Sequence, residues 1–222
     1  MRRSRGSVAG VVVDRARFAE RWRALAWAIP LGLAVWIVVF AWRPANFWLL
    51  MAAGAGGLGL CALLVRGPFP RDEGVRGMDV PMGAAAAAAL YAAFALGRAT
   101  VGTLIPVAVS QIGSVYALRA QAPAWAIALL VTAVIAPGEE LFWRGLVQWR
   151  LVQRWGPGPG WAAATALYGG AHIAAANPLL VAAALAAGGF WGQLYLRMGR
   201  ITPVVFSHVL WDLAVFVLAP LR

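Results

Sequence analysis

The stretch Pro137-Gly138-Glu139-Glu140-Leu141-Phe142-Trp143-Arg144 sets two adjacent carboxylates and an arginine inside a run otherwise apolar and long enough to cross a bilayer. Ionisable side chains near a bilayer centre cost about 2.5–3.5 kcal/mol each on insertion scales, so they are rare unless they have work to do. The rest of the sequence bears on why this chain keeps them.

Working outward, the chain is 62% hydrophobic and 12% charged. A soluble protein of this size would have nowhere to hide that much apolar surface. Apolar runs cover 23–42, 47–65, 81–96, 124–154, 161–176, 179–196 and 201–218, and a weaker one at 99–118 carries Pro106, Ser110 and Gln111. Runs near 20 helical residues match a hydrocarbon layer of about 30 Å. These features predict an all-α, polytopic transmembrane helix bundle of seven to eight spans. It divides into a basic segment 1–22, N-terminal transmembrane helices 23–120 and a core 121–222. The long run 124–154 reads as one very long helix or as two stacked pieces broken at Pro137-Gly138. Gly54, Gly56, Gly57 and Gly59 in the second run suit close approach of a neighbouring helix. The first run is too long for a signal-peptide core and no small-residue cleavage site follows it, so it reads as a retained helix.

The net charge of +11 comes from arginine alone, since the chain has no lysine. Seven arginines precede Leu25, and others fall at the ends of later runs, such as Arg43, Arg66, Arg98, Arg119 and Arg154. That distribution belongs to topology and lipid headgroups, not to nucleic acid. It also creates a conflict. If all five runs before Arg154 cross fully, then Arg150, Arg154, Arg197 and Arg200 land opposite the basic N-terminus. An incomplete or re-entrant 99–118 segment resolves it. The expected location is an integral membrane protein of a bacterial plasma membrane, with membrane lipids as partners. Cys61 is the only cysteine, which excludes an internal disulfide and a cysteine metal cluster.

Away from the ends of the apolar runs, charge is nearly absent except at Glu139, Glu140, Arg144 and Asp212, which are joined by the only two histidines, His172 and His208. Glu140 and Arg144 are four apart, so on a helix they share a face and can pair. Glu139 is rotated by about 100° and cannot use that partner as easily. One carboxylate is then held structurally while the other stays free to move a proton. His208 and Asp212 are also four apart and present one face of the last run. Each pair alone is equally what a structural ion pair or a packed histidine would look like. All of them together are harder to explain by packing.

In order and spacing, these residues resemble the CPBP family of intramembrane proteases, which includes the type II CAAX prenyl endopeptidases and bacterial Abi proteins. The matching segments are Glu139-Glu140-Leu141-Phe142-Trp143-Arg144, Tyr168-Gly169-Gly170-Ala171-His172 and His208-Val209-Leu210-Trp211-Asp212. The segment Gly188-Gly189-Phe190-Trp191-Gly192-Gln193-Leu194-Tyr195 also looks like the family's glycine-rich helix. Tyr168 stands where the pattern more often has Phe, and Asp212 where many members have Asn. The resemblance implies that Glu139 and His172 hold and activate a water, and that Arg144 fixes Glu140. It also implies that His208 with Asp212 stabilises the oxyanion. An ionised Asp accepts hydrogen bonds but donates none. Asp212 must therefore carry a proton or act by orienting His208.

The resemblance implies hydrolysis of a hydrophobic, prenylated (CAAX-type) or membrane-bound peptide by a Glu/His-activated water. Such chemistry needs a water, a base and a donor aimed at developing negative charge. Metal dependence stays open at this point. No metal is the favoured reading, and zinc on Glu139, His172 and His208 is the alternative, although the HExxH helix motif is absent. Two other functions compete: a non-catalytic membrane immunity or scaffold protein, and a proton-coupled transporter built on the same buried groups.

Overall fold

The computed structural model describes residues 25–66 and 74–221. The expected basic segment 1–22 and residues 67–73 of the polar loop lie outside the described residues. The described chain is helical, as α1 (Leu25–Trp42), α2 (Phe47–Arg66), α3 (Asp79–Leu104), α4 (Pro106–Ala117), α5 (Ala124–Trp155), α6 (Pro157–Ala171), α7 (Pro178–Met198) and α8 (Thr202–Leu218). Helices α1, α2, α3, α5 and α7 are long and apolar enough to cross a membrane. Large apolar side chains face outward, among them Leu64 at 77% exposed and Trp125 at 71%. Outward apolar surface over closed helical hydrogen bonding suits lipid as the solvent. The chain is an integral membrane protein.

Short connections reverse the chain at 43–46, at Gly156, at 172–177 and at 199–201, so neighbouring rods run antiparallel. Gly156 takes φ 84° at its turn, a conformation open to glycine. The eight helices follow the eight runs, with one displacement. The third helix continues past residue 96 to Leu104, and the weak run 99–118 is divided at Ile105. A residue before proline is disfavoured in the helical region, and Ile105 is extended at φ −131° and ψ 90° ahead of Pro106. The resulting α4 has 12 residues, about 18 Å, too short for a layer of about 30 Å.

Helix α4 is held across one end of the bundle. The Gln111 side-chain oxygen accepts from Leu179 N at 3.0 Å, and its backbone carbonyl accepts from Asn177 at 3.0 Å. Just beyond α4, the Leu118 carbonyl accepts from Trp48 Nε1 at 2.9 Å and the Gln121 side chain from Phe47 N at 2.8 Å. Leu221 N donates to Tyr116 at 2.9 Å. At the opposite end, Arg200 pairs with Asp79 at 2.7 Å and donates to the Gly74 carbonyl, tying the start of α3 to the α7–α8 turn.

Of the two readings of 124–154, the single very long helix is the one found, with no break at Pro137-Gly138. Helix α5 is one rod of 32 residues, about 48 Å, with π-helical turns at Val131–Ile135 and Leu141–Gln148 on either side of the proline. A wider turn ahead of Pro137 accommodates a residue that has no N–H to donate. Gly138 serves a helix crossing instead. A Cβ there would collide with the Ala55 carbonyl oxygen, and one on Gly59 would lie 2.8 Å from Gly138 Cα. Helices α2 and α5 thus cross backbone on backbone, as small residues allow in a membrane. Gly54 and Gly56 face Val35 and Val134, while Gly57 faces open space. One apolar cluster runs from Leu25 to Ala184 and joins helices of 23–120 to those of 121–222. A smaller one joins Leu90, Trp191 and Val204 across α3, α7 and α8.

Candidate active site

On α5, Glu140, Arg144 and Gln148 follow one another at four-residue steps and face the glycine-rich side of α7. Arg144 donates to Glu140 Oε1 at 2.9 Å and to the Gly188 carbonyl at 3.2 Å. One step on, Gln148 donates to the Gly192 carbonyl at 2.8 Å. A Cβ at Gly188 would press on the Tyr168 ring, and one at Gly192 would press on Gln148 and Trp161. The missing side chains are what bring the α7 carbonyls within reach. The Arg144 guanidinium also lies 4.6 Å from the Tyr168 ring centre, and Glu140 is fully buried.

Helix α8 joins the same carboxylate. His208 Nδ1 lies 2.7 Å from Glu140 Oε1, while its ring stacks on Trp191 at 3.8 Å between centroids. Its other nitrogen, Nε2, is 3.5 Å from Asp212 Oδ2. Glu140 therefore sits on the Nδ1 side of His208 and Asp212 on the Nε2 side. Glu140 Oε1 takes two partners, and Oε2 has none among the described residues.

Glu139 points elsewhere, as its 100° rotation requires. Its Oε2 accepts from the Tyr168 hydroxyl at 3.0 Å. The Tyr168 carbonyl lies 2.8 Å from His172 Nδ1. A carbonyl only accepts, so Nδ1 carries the proton and Nε2 keeps its lone pair. Tyr168 thereby touches both groups, one through its side chain and one through its backbone. The His172 ring is walled by Phe40, Trp36 and Tyr168.

A cavity of about 690 Å³ is lined by Glu139, Tyr168, His172, His208 and Asp212, with otherwise mostly apolar walls. It lies toward the α4 end of the bundle, where Gln111, Ile112, Val115 and Tyr116 of α4 also line it. All six residues singled out in the sequence are at this locus. Glu139, His172, His208 and Asp212 line the cavity, while Glu140 and Arg144 lie behind it. Among the described residues no group of three or more His, Cys, Asp or Glu side chains is placed to hold a metal ion.

Residues 121–214, from the turn before α5 to late α8, match the family model described as type II CAAX prenyl endopeptidase Rce1-like. The match covers less than half of the chain, and over that segment the chain is similar to this family of CAAX proteases. No curated protein and no solved structure matches the chain. The family segment holds every one of the six residues, together with Tyr168, Gly188, Trp191 and Gly192.

Partners that the sequence left unassigned have recognisable chemistry. A guanidinium carries five N–H donors, so one carboxylate oxygen cannot satisfy Arg144, and a further acceptor was required. Gln148, four residues on, signalled a second polar contact on the same face. Trp191 gave no such signal, because stacking on His208 is a contact between helices.

Proposed function

We propose that the protein is an intramembrane endopeptidase that hydrolyses a peptide bond of a hydrophobic, prenylated or membrane-bound peptide, in a bacterial plasma membrane. The observation that carries this reading is a single apolar cavity onto which a carboxylate, a histidine with a free Nε2 and a His/Asp pair all open. Its volume lies within the usual range for ligand sites, about 300–1,000 Å³.

In the proposed reaction a water sits between Glu139 and His172 Nε2. Glu139 takes its proton as the oxygen attacks the peptide carbonyl, and the C–O bond forms as the carbonyl electrons move onto oxygen. His208 Nε2 and Asp212 Oδ2, 3.5 Å apart, flank the place for that oxyanion, and whichever atom holds the proton donates it. Collapse of the intermediate breaks the C–N bond, and Glu139 returns the proton to the leaving amine. Glu140 and Arg144 touch none of the reacting atoms. They hold His208 and the α5–α7 contact, and so act as positioning residues.

No step needs a metal, and neither metal nor nucleic acid is a proposed partner. Membrane peptides from cells carrying the wild type and Glu139→Ala or His172→Ala should differ by fragments present only in the wild type. Purified wild type should retain cleavage after exhaustive chelation. Unchanged cleavage in both variants refutes the mechanism, and loss on chelation restored by zinc refutes its metal-free form.

A further inference from the structure

Trp191 on α7 is buried, and its ring lies face to face with the ring of His208 on α8, 3.8 Å between centroids and 24° between planes. Neutral aromatic pairs avoid that arrangement, because each face carries the negative side of a quadrupole. They settle offset or edge-on, at about 4.5–7 Å. A cation over an indole face is attracted instead. The indole is also fixed in place. Its Nε1 donates to Ser207 Oγ at 3.1 Å, and Trp211 packs edge-on against it at 5.7 Å.

The hydrogen bonds of His208 fit a charged ring. Glu140 Oε1 accepts from Arg144, so toward His208 it is again an acceptor, and Nδ1 carries a proton. A bare Nε2 would turn a lone pair toward Asp212 Oδ2, 3.5 Å away. That distance is long for a charge-assisted bond, about 2.7–2.9 Å, so a proton on Nε2 stays available to a further oxygen. The charged and titratable groups around the ring are Glu139, Glu140 and Arg144 on α5, His172 just after α6 and Asp212 on α8. Arg144 also lies 5.6 Å from the Trp191 ring centre, and the Glu140 oxygen meets both cations.

We infer that Trp191 is a positioning residue that holds His208 as an imidazolium, so that the proton facing the oxyanion sits on Nε2 rather than on Asp212. The oxyanion half of this rests on the endopeptidase reading, whereas the charge on the ring does not.

The test uses full-length protein in nanodiscs with ¹⁵N-labelled histidine. Only two rings report, because the chain has two histidines, and His172→Gln assigns them. A neutral ring shows one protonated and one bare nitrogen, and an imidazolium shows two protonated ones. At about pH 7 the wild type should show His208 protonated on both nitrogens, and Trp191→Leu should leave Nδ1 alone protonated. Trp191→Phe keeps a ring face but has no N–H for Ser207, and it should keep both protons. Turnover should follow the charge. Removing one oxyanion donor costs about 100–1,000-fold in kcat, so Trp191→Leu should lose about that much and Trp191→Phe no more than about tenfold.

A neutral His208 in the wild type overturns the inference without any variant, so the test holds even if Trp191→Leu does not fold. A ring that keeps both protons in Trp191→Leu overturns it as well. A ring that loses its charge in Trp191→Leu while kcat stays unchanged overturns the oxyanion half. A charged, Trp191-dependent ring in a protein that cleaves nothing refutes the hydrolase reading and leaves the hold on His208. A neutral ring in a wild type that cleaves does the reverse.

Discussion

Arg144 is 2% exposed and its partner Glu140 is fully buried, and a second helix leans on the same oxygen through His208. Removing one member of a buried ion pair strands the other and costs about 3–5 kcal/mol. Arg144→Ala should therefore lower the thermal midpoint in detergent sharply and abolish cleavage. Arg144→Lys should not rescue it, because one ammonium cannot bond Glu140 and the Gly188 carbonyl while stacking on Tyr168. A lysine variant as stable as the wild type would contradict this geometry. Tyr168→Phe is a milder case. It removes one donor from Glu139 Oε2 and leaves the Tyr168 carbonyl on His172, so stability should fall by about 1 kcal/mol. Cleavage should drop by no more than about tenfold while persisting; complete loss would make the hydroxyl part of the chemistry. Both four-residue pairs were legible in the sequence, because helical periodicity fixes who shares a face. The contacts Glu140–His208 and Glu139–Tyr168 join different helices, and no periodicity within one helix carries that information.

Helix α4 and the glycines of α2 and α5 show the same limit at the next scale. Hydropathy marks 99–118 as weak, and Pro106 marks a boundary, yet only the bonds from Gln111, Leu118 and Gln121 place α4 across the bundle end. At Pro137-Gly138 local chemistry left a break and one long helix both open, and the helix runs through, with a π-helical turn ahead of the proline and the glycine meeting Gly59. Four glycines in α2 look alike in sequence and differ in what they face. Gly59→Leu should drive a side chain into the α5 backbone, which has no rotamer to change. Overpacking of a tight core costs about 1–3 kcal/mol, and a backbone neighbour puts this case at the upper end or beyond. Gly57→Leu, facing open space, should leave folded yield near that of the wild type. Size-exclusion profiles of the two variants in detergent check the contrast, and equal profiles would mean the crossing is looser than described.

For the whole molecule, seven antiparallel rods and one cap settle where the cations go. Arg66, Arg76, Arg150, Arg154, Arg197 and Arg200 lie toward the end opposite α4, where Asp79 meets Arg200. Arg43, Arg98 and Arg119 lie toward the end that α4 covers. Leu25, which follows the arginine-rich start of the sequence, opens α1 at the first of these ends. With α4 not crossing, the conflict over Arg150, Arg154, Arg197 and Arg200 disappears, because these arginines share one side. The positive-inside tendency then turns that side to the cytoplasm and the cavity's α4 end to the opposite face. Gly113 lies at the α4 end and Gly158 in the first turn of α6, and both face open space. In a Cys61→Ser background, a membrane-impermeant maleimide applied to intact cells should label Gly113→Cys. It should reach Gly158→Cys only after permeabilisation. The reverse pattern would turn the cavity toward the cytoplasm, and the peptides to search for cleavage would then be cytoplasmic ones.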